Sequence, residues 1–526
     1  MIDSISVKNY KAFQEASLRL KPITVLLGAN SVGKSSILQL FHLLKQTATF
    51  GSQTDKCPFK MYGPFVNMGA TENLFHNKNV KSVLEVSIAL KNSDLQKKFT
   101  TLFGDFTRSV STIPYMFPIR GMLEIRLPEK QMPKDRIEFR QHTKDIFDVL
   151  EKERMEDYRS TLGYLFSTNT CIAASDIQAL SYYSILSTYD LLNAIKISRK
   201  ESAVFTVTFS FFQKGGRLYI GGFKLLYKDK VIFYIDSQND FFVYSDFCDF
   251  TTEDIQIIER RFNKSTFLFG CIREKKNAEE QETTLSNYLI HIASLTLNTL
   301  KGEFHPNIIQ HVKPLRANPQ RYYVIDDEKL TPYASALDGD RVIEILRDNL
   351  EIKDLVNSWL AKYDLSIDIQ QSEDDVIHHI KIVQNGVALD ITDVGFGISQ
   401  LLPILVQAYV TPKKGVTIVE QPEIHLHPIM QADVADLFRL TSNSEKPFII
   451  ETHSEYLLRR LRRRVAIGEM SSDDVAIYLF RGKNKERDYT EVEFLDMTST
   501  GLFEWPSDFY GGELNKDIVD FIAAQS

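Results

Sequence analysis

The sequence predicts an α/β fold in which a mainly parallel, helix-covered sheet is split along the chain by a large α+β insertion. A continuous apolar run at residues 23–27 is typical of a strand buried on both faces, and helical spacing follows it. Alternating strand and helix patterns return from about residue 301, after a long segment of different character. We therefore predict an N-terminal lobe of residues 1–90, an insertion of residues 91–300 and a C-terminal lobe of residues 301–526.

The individual elements follow from apolar periodicity and turn residues. Strand patterns are separated from helix patterns by polar or glycine-containing segments, among them Gly215 and Gly216 inside the β-rich part of the insertion. The predicted strands lie within residues 5–7, 16–20, 23–27, 204–234, 367–383, 415–419 and 448–450. The predicted helices lie within residues 36–44, 145–200, 285–300, 399–409, 431–440 and 455–465.

Length and composition bound the class of protein. At 526 residues the chain is too long for a single ordinary core, and its 43% hydrophobic residues suffice for two or three. The net charge of −7 argues against a generally basic protein that coats nucleic acid, although a local basic groove stays open. Four scattered cysteines predict neither a disulfide framework nor a zinc site. An acidic start and the lack of long apolar runs lead us to expect a cytoplasmic protein without membrane contact.

A phosphate-binding motif follows the first buried strand. Residues 28–35, GANSVGKS, match G-x-x-x-x-G-K-[ST] at every position. Its glycines let backbone N–H groups point at phosphate oxygens, Lys34 neutralises the β and γ phosphates, and the Ser35 hydroxyl holds Mg²⁺. Because the motif lies between a strand and a helix, we predict an ATP–Mg²⁺ site rather than an ordinary glycine turn. The predicted ATP-binding residues of this motif are Asn30, Ser31, Val32, Gly33, Lys34, Ser35 and Ser36.

Two further segments carry groups suited to a triphosphate. Gly395 and Gly397 precede Ser399 and Gln400 at a predicted helix start, where a hydroxyl and backbone N–H groups can donate to phosphate. The alternative is a glycine-rich helix cap without a ligand. The strand at residues 416–419 ends in Glu420, which we expect at the sheet edge where open α/β sheets bind ligands and where it can hold Mg²⁺.

These motifs, in this order, resemble the RecF/SMC/OLD-type ABC ATPases. The resemblance begins with VKNYKAF at residues 7–13 and covers about residues 1–80 and 305–526. It implies an ABC-type P-loop ATPase head, with Lys11 added to the ATP-binding residues. It also implies that the Gly395–Gln400 signature acts in trans on ATP bound by another subunit, that Glu420 is the Walker B acid, and that His453 is the switch histidine contacting the γ-phosphate.

One position departs from the pattern of most ABC ATPases. The residue after the Walker B acid is usually Glu, which orients and deprotonates the attacking water, but here it is Gln421. A neutral amide orients water without accepting its proton, and Glu423 is the nearby carboxylate that could substitute. We therefore predict an ATPase (ATP + H₂O to ADP + phosphate) with slow turnover, whose catalytic residues are Glu420, Gln421, Glu423 and His453.

The resemblance extends to a bacterial subgroup often encoded in defence islands, as in Septu-, PARIS- and OLD-like systems. It is carried by residues 311–323 and by the tail at residues 501–510. It implies a homo-oligomeric, dimer-based sensor or scaffold for antiviral defence that controls a partner effector such as a nuclease or toxin. The alternatives are a RecF-like DNA repair ATPase that acts on DNA directly and a transport-type ABC ATPase, against which the large insertion argues.

Several features of related proteins are missing from the sequence. The insertion is too short for an SMC or Rad50 coiled coil, and only about seventy residues follow His453, so we expect no TOPRIM nuclease. Acids such as Asp473, Asp474, Asp517 and Asp520 are typical of helix caps and surfaces. A basic run at residues 459–464 is either a solvated or acid-paired helix face or a strip that binds phosphate or an effector. His425 and His427 lack further zinc ligands, so we interpret them as packing residues or as residues that support the site from behind its ligands.

Overall fold

A computed structural model describes residues 1–91, 93–112, 135–152, 182–195, 203–273, 283–316, 318–324, 339–371, 377–504 and 519–525. Residues 505–510 of the predicted tail segment, together with Ala317 and Asp517, lie outside the described residues. No helix of the described ranges is long and apolar enough to cross a membrane.

Seventeen strands are described. In chain order they are β1 (Ile2–Tyr10), β2 (Phe13–Arg19), β3 (Ile23–Gly28), β4 (Leu84–Lys91), β5 (Val204–Lys214), β6 (Arg217–Tyr227), β7 (Lys230–Asp236), β8 (Phe242–Tyr244), β9 (Ile309–Val312), β10 (Tyr323–Val324), β11 (Leu365–Gln371), β12 (Ile377–Gln384), β13 (Val387–Asp390), β14 (Val416–Glu420), β15 (Phe448–Glu451), β16 (Val475–Arg481) and β17 (Glu491–Leu495).

The described α-helices cover the sheets and connect their strands. In chain order they are α1 (Lys34–Phe50), α2 (Ser93–Thr112), α3 (Arg136–Lys152), α4 (Tyr182–Ile195), α5 (Thr252–Arg261), α6 (Thr284–Glu303), α7 (Gly339–Asp348), α8 (Leu350–Leu360), α9 (Phe396–Val410), α10 (Pro428–Thr441) and α11 (Glu455–Ala466).

A six-stranded sheet joins the two ends of the chain. Its order is β17-β16-β3-β15-β14-β9, and all neighbouring pairs are parallel except β16 with β17. β3 from the N-terminal lobe therefore lies between two strands that come from more than 400 residues later in the chain. The split, mainly parallel sheet predicted from the sequence is confirmed. The carboxyl ends of β3, β14 and β15 meet at one edge of this sheet.

A seven-stranded sheet in the order β2-β1-β4-β5-β6-β7-β8 is antiparallel throughout. It is continuous across residue 90, since β1 pairs with β4 and β4 pairs with β5. Its aromatic residues Phe209, Phe211, Phe223 and Phe233 are fully buried. These phenylalanines of β5, β6 and β7 are therefore part of a core.

A small sheet in the order β10-β12-β11, with β13 also paired to β12, completes the C-terminal lobe. The two faces of the parallel sheet belong to different cores. Leu26 packs with α1 and the antiparallel sheet, whereas Ile23, Val25 and Leu27 pack with α9, α10 and α11. Alternate residues of β3 are thus buried on opposite faces, which explains its continuous apolar run.

The arginine run lies on α11 and is paired with acids. Arg460 donates to Asp433 and Asp436, and Arg464 Nε lies 2.6 Å from Asp436 Oδ1. Arg459 is bonded to Glu455 one turn earlier on the same helix. The acid-paired interpretation of residues 459–464 is therefore confirmed for these three arginines.

Candidate functional site

The phosphate loop has the backbone that its motif requires. Gly28 and Gly33 adopt φ values of 141° and 107°, in the region that favours glycine. A Cβ on Gly28 would lie 2.5 Å from the Phe480 carbonyl oxygen, so the loop also packs too tightly there for any side chain. Helix α1 begins at Lys34 without a side-chain cap, which leaves the N–H groups of its first turn directed at the loop.

Lys34 and Ser35 lie at the centre of this loop. Lys34 is 3% exposed, and its ammonium donates to the carbonyl oxygens of Gly28 and Ala29, each at 2.8 Å. Burial lowers the pKa of Lys34, while Glu451, whose carboxylate is 3.8 Å from the ammonium, opposes that change. Ser35 Oγ donates to the same carboxylate at 3.2 Å. The two residues that the motif assigns to phosphate and Mg²⁺ therefore share one acidic partner.

Glu451 is a site residue that the sequence analysis did not identify. It ends β15, next to β3, and is 5% exposed. Burial raises its pKa, and the nearby Lys34 ammonium is the largest influence in the opposite direction. The signal was present in the sequence, because Glu451 ends an apolar strand just as Glu420 does, and the ends of parallel strands meet at one edge.

Glu420 lies at the end of β14, beside Glu451 in the strand register. Its Oε1 atom is 2.6 Å from Nε2 of His311 on β9. Burial raises the pKa of Glu420, and the Lys313 ammonium opposes the shift. The predicted Walker B acid is therefore at the expected edge of the sheet, but its carboxylate is bound to a histidine that the sequence analysis did not assign to the site.

Gln421 and Glu423 follow in a tightly held turn. Gln421 has a left-handed backbone with φ of 46°, and its N–H donates to the Glu451 carbonyl at 2.7 Å. Arg316 Nη2 donates to the carbonyls of Glu420 and Gln421, both at 3.1 Å. Arg316 is 8% exposed, and its Nε and Nη1 atoms have no protein partner. The turn therefore fixes the backbone of Gln421 and places a buried guanidinium beside it.

Both oxygens of Glu423 are bound to the segment after β15. One accepts from Thr452 Oγ1 and the other from the His453 N–H, each at 2.7 Å. Burial raises the pKa of Glu423, which these hydrogen bonds oppose. Burial lowers the pKa of His453, and the Lys34 ammonium lowers it further. Its Nε2 atom is buried without a hydrogen-bond partner.

The signature segment lies on the β14 side of the sheet. Gly395 precedes α9 and is exposed, whereas Ser399 and Gln400 are 7% and 3% exposed. A Cβ on Gly397 would lie 2.9 Å from the His425 carbonyl oxygen, so the helix start packs against the loop after Gln421. Helix α9 contacts β14 and β9. β14 is separated from β3 by β15, so the signature is placed away from the phosphate loop of its own chain.

Of the remaining predicted residues, three belong to the surroundings of the phosphate loop, and two histidines lie between Gln421 and α10. Lys11 donates to Gln39 of α1 and lies 3.9 Å from Met68 Sδ, and burial lowers its pKa. Ser31 has φ of 64°, and the Val32 carbonyl accepts from Thr490 Oγ1 at 2.7 Å. His427 caps α10 through its side chain, and His425 is exposed with φ of 62°.

These residues fit ATP and Mg²⁺. A curled glycine backbone and an uncapped helix start offer N–H donors, and the buried Lys34 ammonium lies among them. The Ser35 hydroxyl, together with an acid from β14 or β15, offers the hard oxygen ligands that Mg²⁺ prefers. The unpartnered His453 Nε2 supplies a further polar contact on this side. Mg²⁺ in such a site neutralises phosphate charge.

A phosphate loop between β3 and α1, joined by acids and a histidine at neighbouring strand ends, is the site of an ATPase. The chain belongs to the AAA ATPase domain family, whose pattern matches residues 1–458. A search of curated proteins finds no match.

The chain is similar to three solved SMC head structures. One is an SmcHead bound to the C-winged helix domain of ScpA, at 11% identity and a TM-score of 0.40, covering 94% of this chain and 98% of that one. The second is the SMC head domain from Thermotoga maritima, at 7% identity, a TM-score of 0.31 and the same coverage of 94% and 98%. The third is an Smc head domain with an extended coiled coil, bound to the C-terminal domain of ScpA derived from Pyrococcus furiosus. Its sequence identity is 11% and its TM-score 0.34, and the match covers 99% of each chain.

Proposed function

We propose that this protein is a slowly hydrolysing ATPase whose ATP-bound assembly is its functional form. The observation that carries the proposal is the pair formed by Gln421 and Glu423. Gln421 stands where a carboxylate would take the proton of the attacking water, and its amide has no such capacity. Glu423 is the nearest substitute, but Thr452 and the His453 N–H occupy both of its oxygens. The site is therefore suited to binding ATP more than to cleaving it.

The placement of the signature supports assembly between subunits. Helix α9 lies on the β14 side of the sheet, and no side chain caps its start at Gly395, which is exposed. An exposed, uncapped helix start with flanking glycines binds anions through its backbone N–H groups. We propose that it contacts the γ-phosphate held by the phosphate loop of a second copy. ATP would then join two chains, with Ser399 and Gln400 shaping the helix start.

Replacing Gln421 with Glu tests the slow-turnover part. The two side chains have the same shape, and the contacts of Gln421 described above involve only its backbone, so the turn is expected to persist. We expect the steady-state ATP turnover to rise at least about tenfold, because a positioned general base contributes about 10²–10⁴-fold. Gln370→Glu, at an exposed position of β11, is the matched control for an added charge. A wild-type protein that already turns over fast, with no response to Gln421→Glu, contradicts the proposal.

We further propose that the ATP-bound form is the sensor or scaffold subunit of an antiviral defence complex, acting on an effector such as a nuclease. The resemblance over residues 311–323 supports the role. The alternative is a RecF-like ATPase that binds DNA directly. The basic run at residues 459–464 is the segment that could have bound the phosphates of DNA. Acids neutralise three of its arginines, Arg459, Arg460 and Arg464, and this favours a protein partner over DNA.

Two measurements on the purified protein separate these roles. The first is anisotropy of a labelled DNA duplex at low and moderate salt, with ATP and Mg²⁺ present. The second is co-elution with the product of the neighbouring gene after co-expression. We expect the neighbouring protein to co-elute in an ATP-dependent manner and DNA affinity to stay at the weak non-specific level, with a Kd of about 10⁻⁴–10⁻⁶ M. Tight, salt-dependent DNA binding without a protein partner contradicts the scaffold role and supports the RecF-like one.

A further inference from the structure

A group of potential metal ligands lies beside the nucleotide site. His42 of α1, His311 of β9 and Glu420 of β14 each offer one ligand atom, and these atoms lie within 4.8 Å of one another. The imidazole centroids of His42 and His311 are 4.1 Å apart, and His311 Nε2 is 2.6 Å from Glu420 Oε1. In the part of the chain that the structure describes, no other group of three such side chains occurs.

The fold brings these side chains together through strand register. β9 and β14 run parallel, with His311 opposite Ile418. Glu420 is two residues after Ile418, so it lies on the same face of the sheet as Ile418 and His311. That face packs against α1, since Ile309 and Ile418 belong to the same core as the buried residues of α1. His42 therefore meets His311 from the helix side.

His42 is buried in this cluster although hydrogen bonds within the protein do not satisfy its imidazole ring. It is 5% exposed, and its Nε2 atom has no hydrogen-bond partner. An unsatisfied buried polar group destabilises the folded protein, and an apolar side chain at this position would not incur that cost. The unpaired nitrogen belongs to a side chain whose ring lies next to that of His311 at an interplanar angle of 38°, and His311 is itself bound to a carboxylate. A cation held by all three groups would satisfy it.

The surroundings of the two imidazoles disfavour their charged forms. Burial lowers the pKa of both rings. For His311 to bind a metal through Nε2, the proton between Nε2 and Glu420 moves to Nδ1, so the imidazole stays neutral. Lys313 and Lys45 oppose a dication here. Lys313 is exposed and screened by solvent, whereas the buried Lys45 ammonium donates to the Ile309 carbonyl oxygen at 2.7 Å.

We propose that His42, His311 and Glu420 bind a first-row transition-metal dication such as Zn²⁺. Two imidazole nitrogens and one carboxylate oxygen form a ligand set that Zn²⁺, Co²⁺ and Fe²⁺ accept, whereas Mg²⁺ prefers oxygen ligands. Metal–ligand distances of about 2.0–2.2 Å require only a short closing movement of the side chains. The ion would hold Glu420 on the His311 side, and Glu451 would remain beside Ser35. The proposal does not depend on ATP turnover or on assembly.

The test measures metal content without nucleotide. The purified full-length protein is stripped with a chelator, loaded with Co²⁺ or Zn²⁺ in excess Mg²⁺, dialysed and analysed for bound metal, and the Co²⁺ form is examined by visible absorption. We expect about one transition-metal ion per chain and Co²⁺ ligand-field bands. His42→Gln and His311→Gln are expected to bind at least about tenfold more weakly. The matched control is His378→Gln, because His378 is fully buried on β12 and both its ring nitrogens lack partners.

Folding is checked independently by thermal unfolding. His42→Leu removes the unpaired nitrogen, so it is expected to unfold at the same or a higher temperature than the stripped wild type, yet to lose the metal. A wild-type protein that retains no transition metal overturns the proposal. Folded His42 variants that bind as much metal as the wild type overturn it too, as does loss of the metal in folded His378→Gln.

Discussion

Replacing Lys34 with Ala is expected to abolish ATP binding. The Lys34 ammonium is buried in the phosphate loop, where it donates to the carbonyls of Gly28 and Ala29. In the complex it would exchange these neutral acceptors for charged phosphate oxygens, and each hydrogen bond to a charged group contributes about 1.5–3 kcal/mol. Losing two such contacts raises the Kd for ATP at least about 100-fold, since 1.4 kcal/mol corresponds to a factor of ten. Calorimetry or a fluorescent ATP analogue measures the change.

The control separates this effect from a loss of folding. Lys34→Ala also leaves the Glu451 carboxylate without its nearest cation, so the unfolding temperature is measured without nucleotide. Lys8→Ala removes an equal charge from an exposed position of β1. Mg²⁺–ATP should raise the unfolding temperature of the wild type and of Lys8→Ala, but not that of Lys34→Ala. If ATP joins two chains, it increases the mass of the assembly in solution, and Lys34→Ala should lose this increase. A folded Lys34→Ala protein that binds ATP as tightly as the wild type contradicts the assigned site.

The parts of the fold that were predicted correctly from the sequence are those that a pattern of a few consecutive residues indicates. The apolar run at residues 23–27 became β3, and the segment at 415–419 became β14, which ends in the expected acid. The phosphate motif needs only eight consecutive residues and their flanking elements, so a single sequence suffices to recognise it. The split sheet was predicted because strand and helix patterns at the start of the chain return from about residue 301, after a long segment of different character.

The parts that sequence missed depend on which strands become neighbours. β16 lies beside β3 in the sheet, although nearly 450 residues separate the two strands in the chain, and nothing local in either strand specifies the other. The antiparallel sheet likewise continues from β1 through β4 into the insertion, because β4 pairs with β1 along one edge and with β5 along the other. A composition change near residue 90 carries no information on such pairing.

The same limit applies to the site residues. His311 reaches Glu420 only because β9 and β14 are parallel in one particular register, and His42 joins them only because α1 packs on that face. The positions of these three residues in the sequence therefore do not indicate that their side chains meet. Glu451 is different, since an acid that ends an apolar strand is visible in the sequence. Recognising it required the further step of applying to residue 451 the rule already applied to residue 420.

Replacing Glu451 with Gln is expected to reduce Mg²⁺-dependent ATP turnover about 100-fold, the effect typical of removing one preorganised electrostatic group. The Glu451 carboxylate accepts from Ser35 Oγ and lies 3.8 Å from the Lys34 ammonium in a buried setting. Glutamine has the same size and still accepts from Ser35, but it carries no charge to attract Mg²⁺. The concentration of Mg²⁺ required for half-maximal activity should therefore rise along with the loss of turnover.

Glu420→Gln is the matched comparison, because it makes the same change at the adjacent strand end, where the carboxylate is bound to His311. Glu451 is next to the hydroxyl that the motif assigns to Mg²⁺, so we expect Glu451→Gln to shift the Mg²⁺ requirement more than Glu420→Gln does. Titrations of ATP turnover against Mg²⁺ for the wild type and both variants measure this difference. If Glu451→Gln behaves like the wild type while Glu420→Gln is inactive, the prediction is wrong. Glu420 would then be the Mg²⁺ ligand, and Glu451 would only position Ser35.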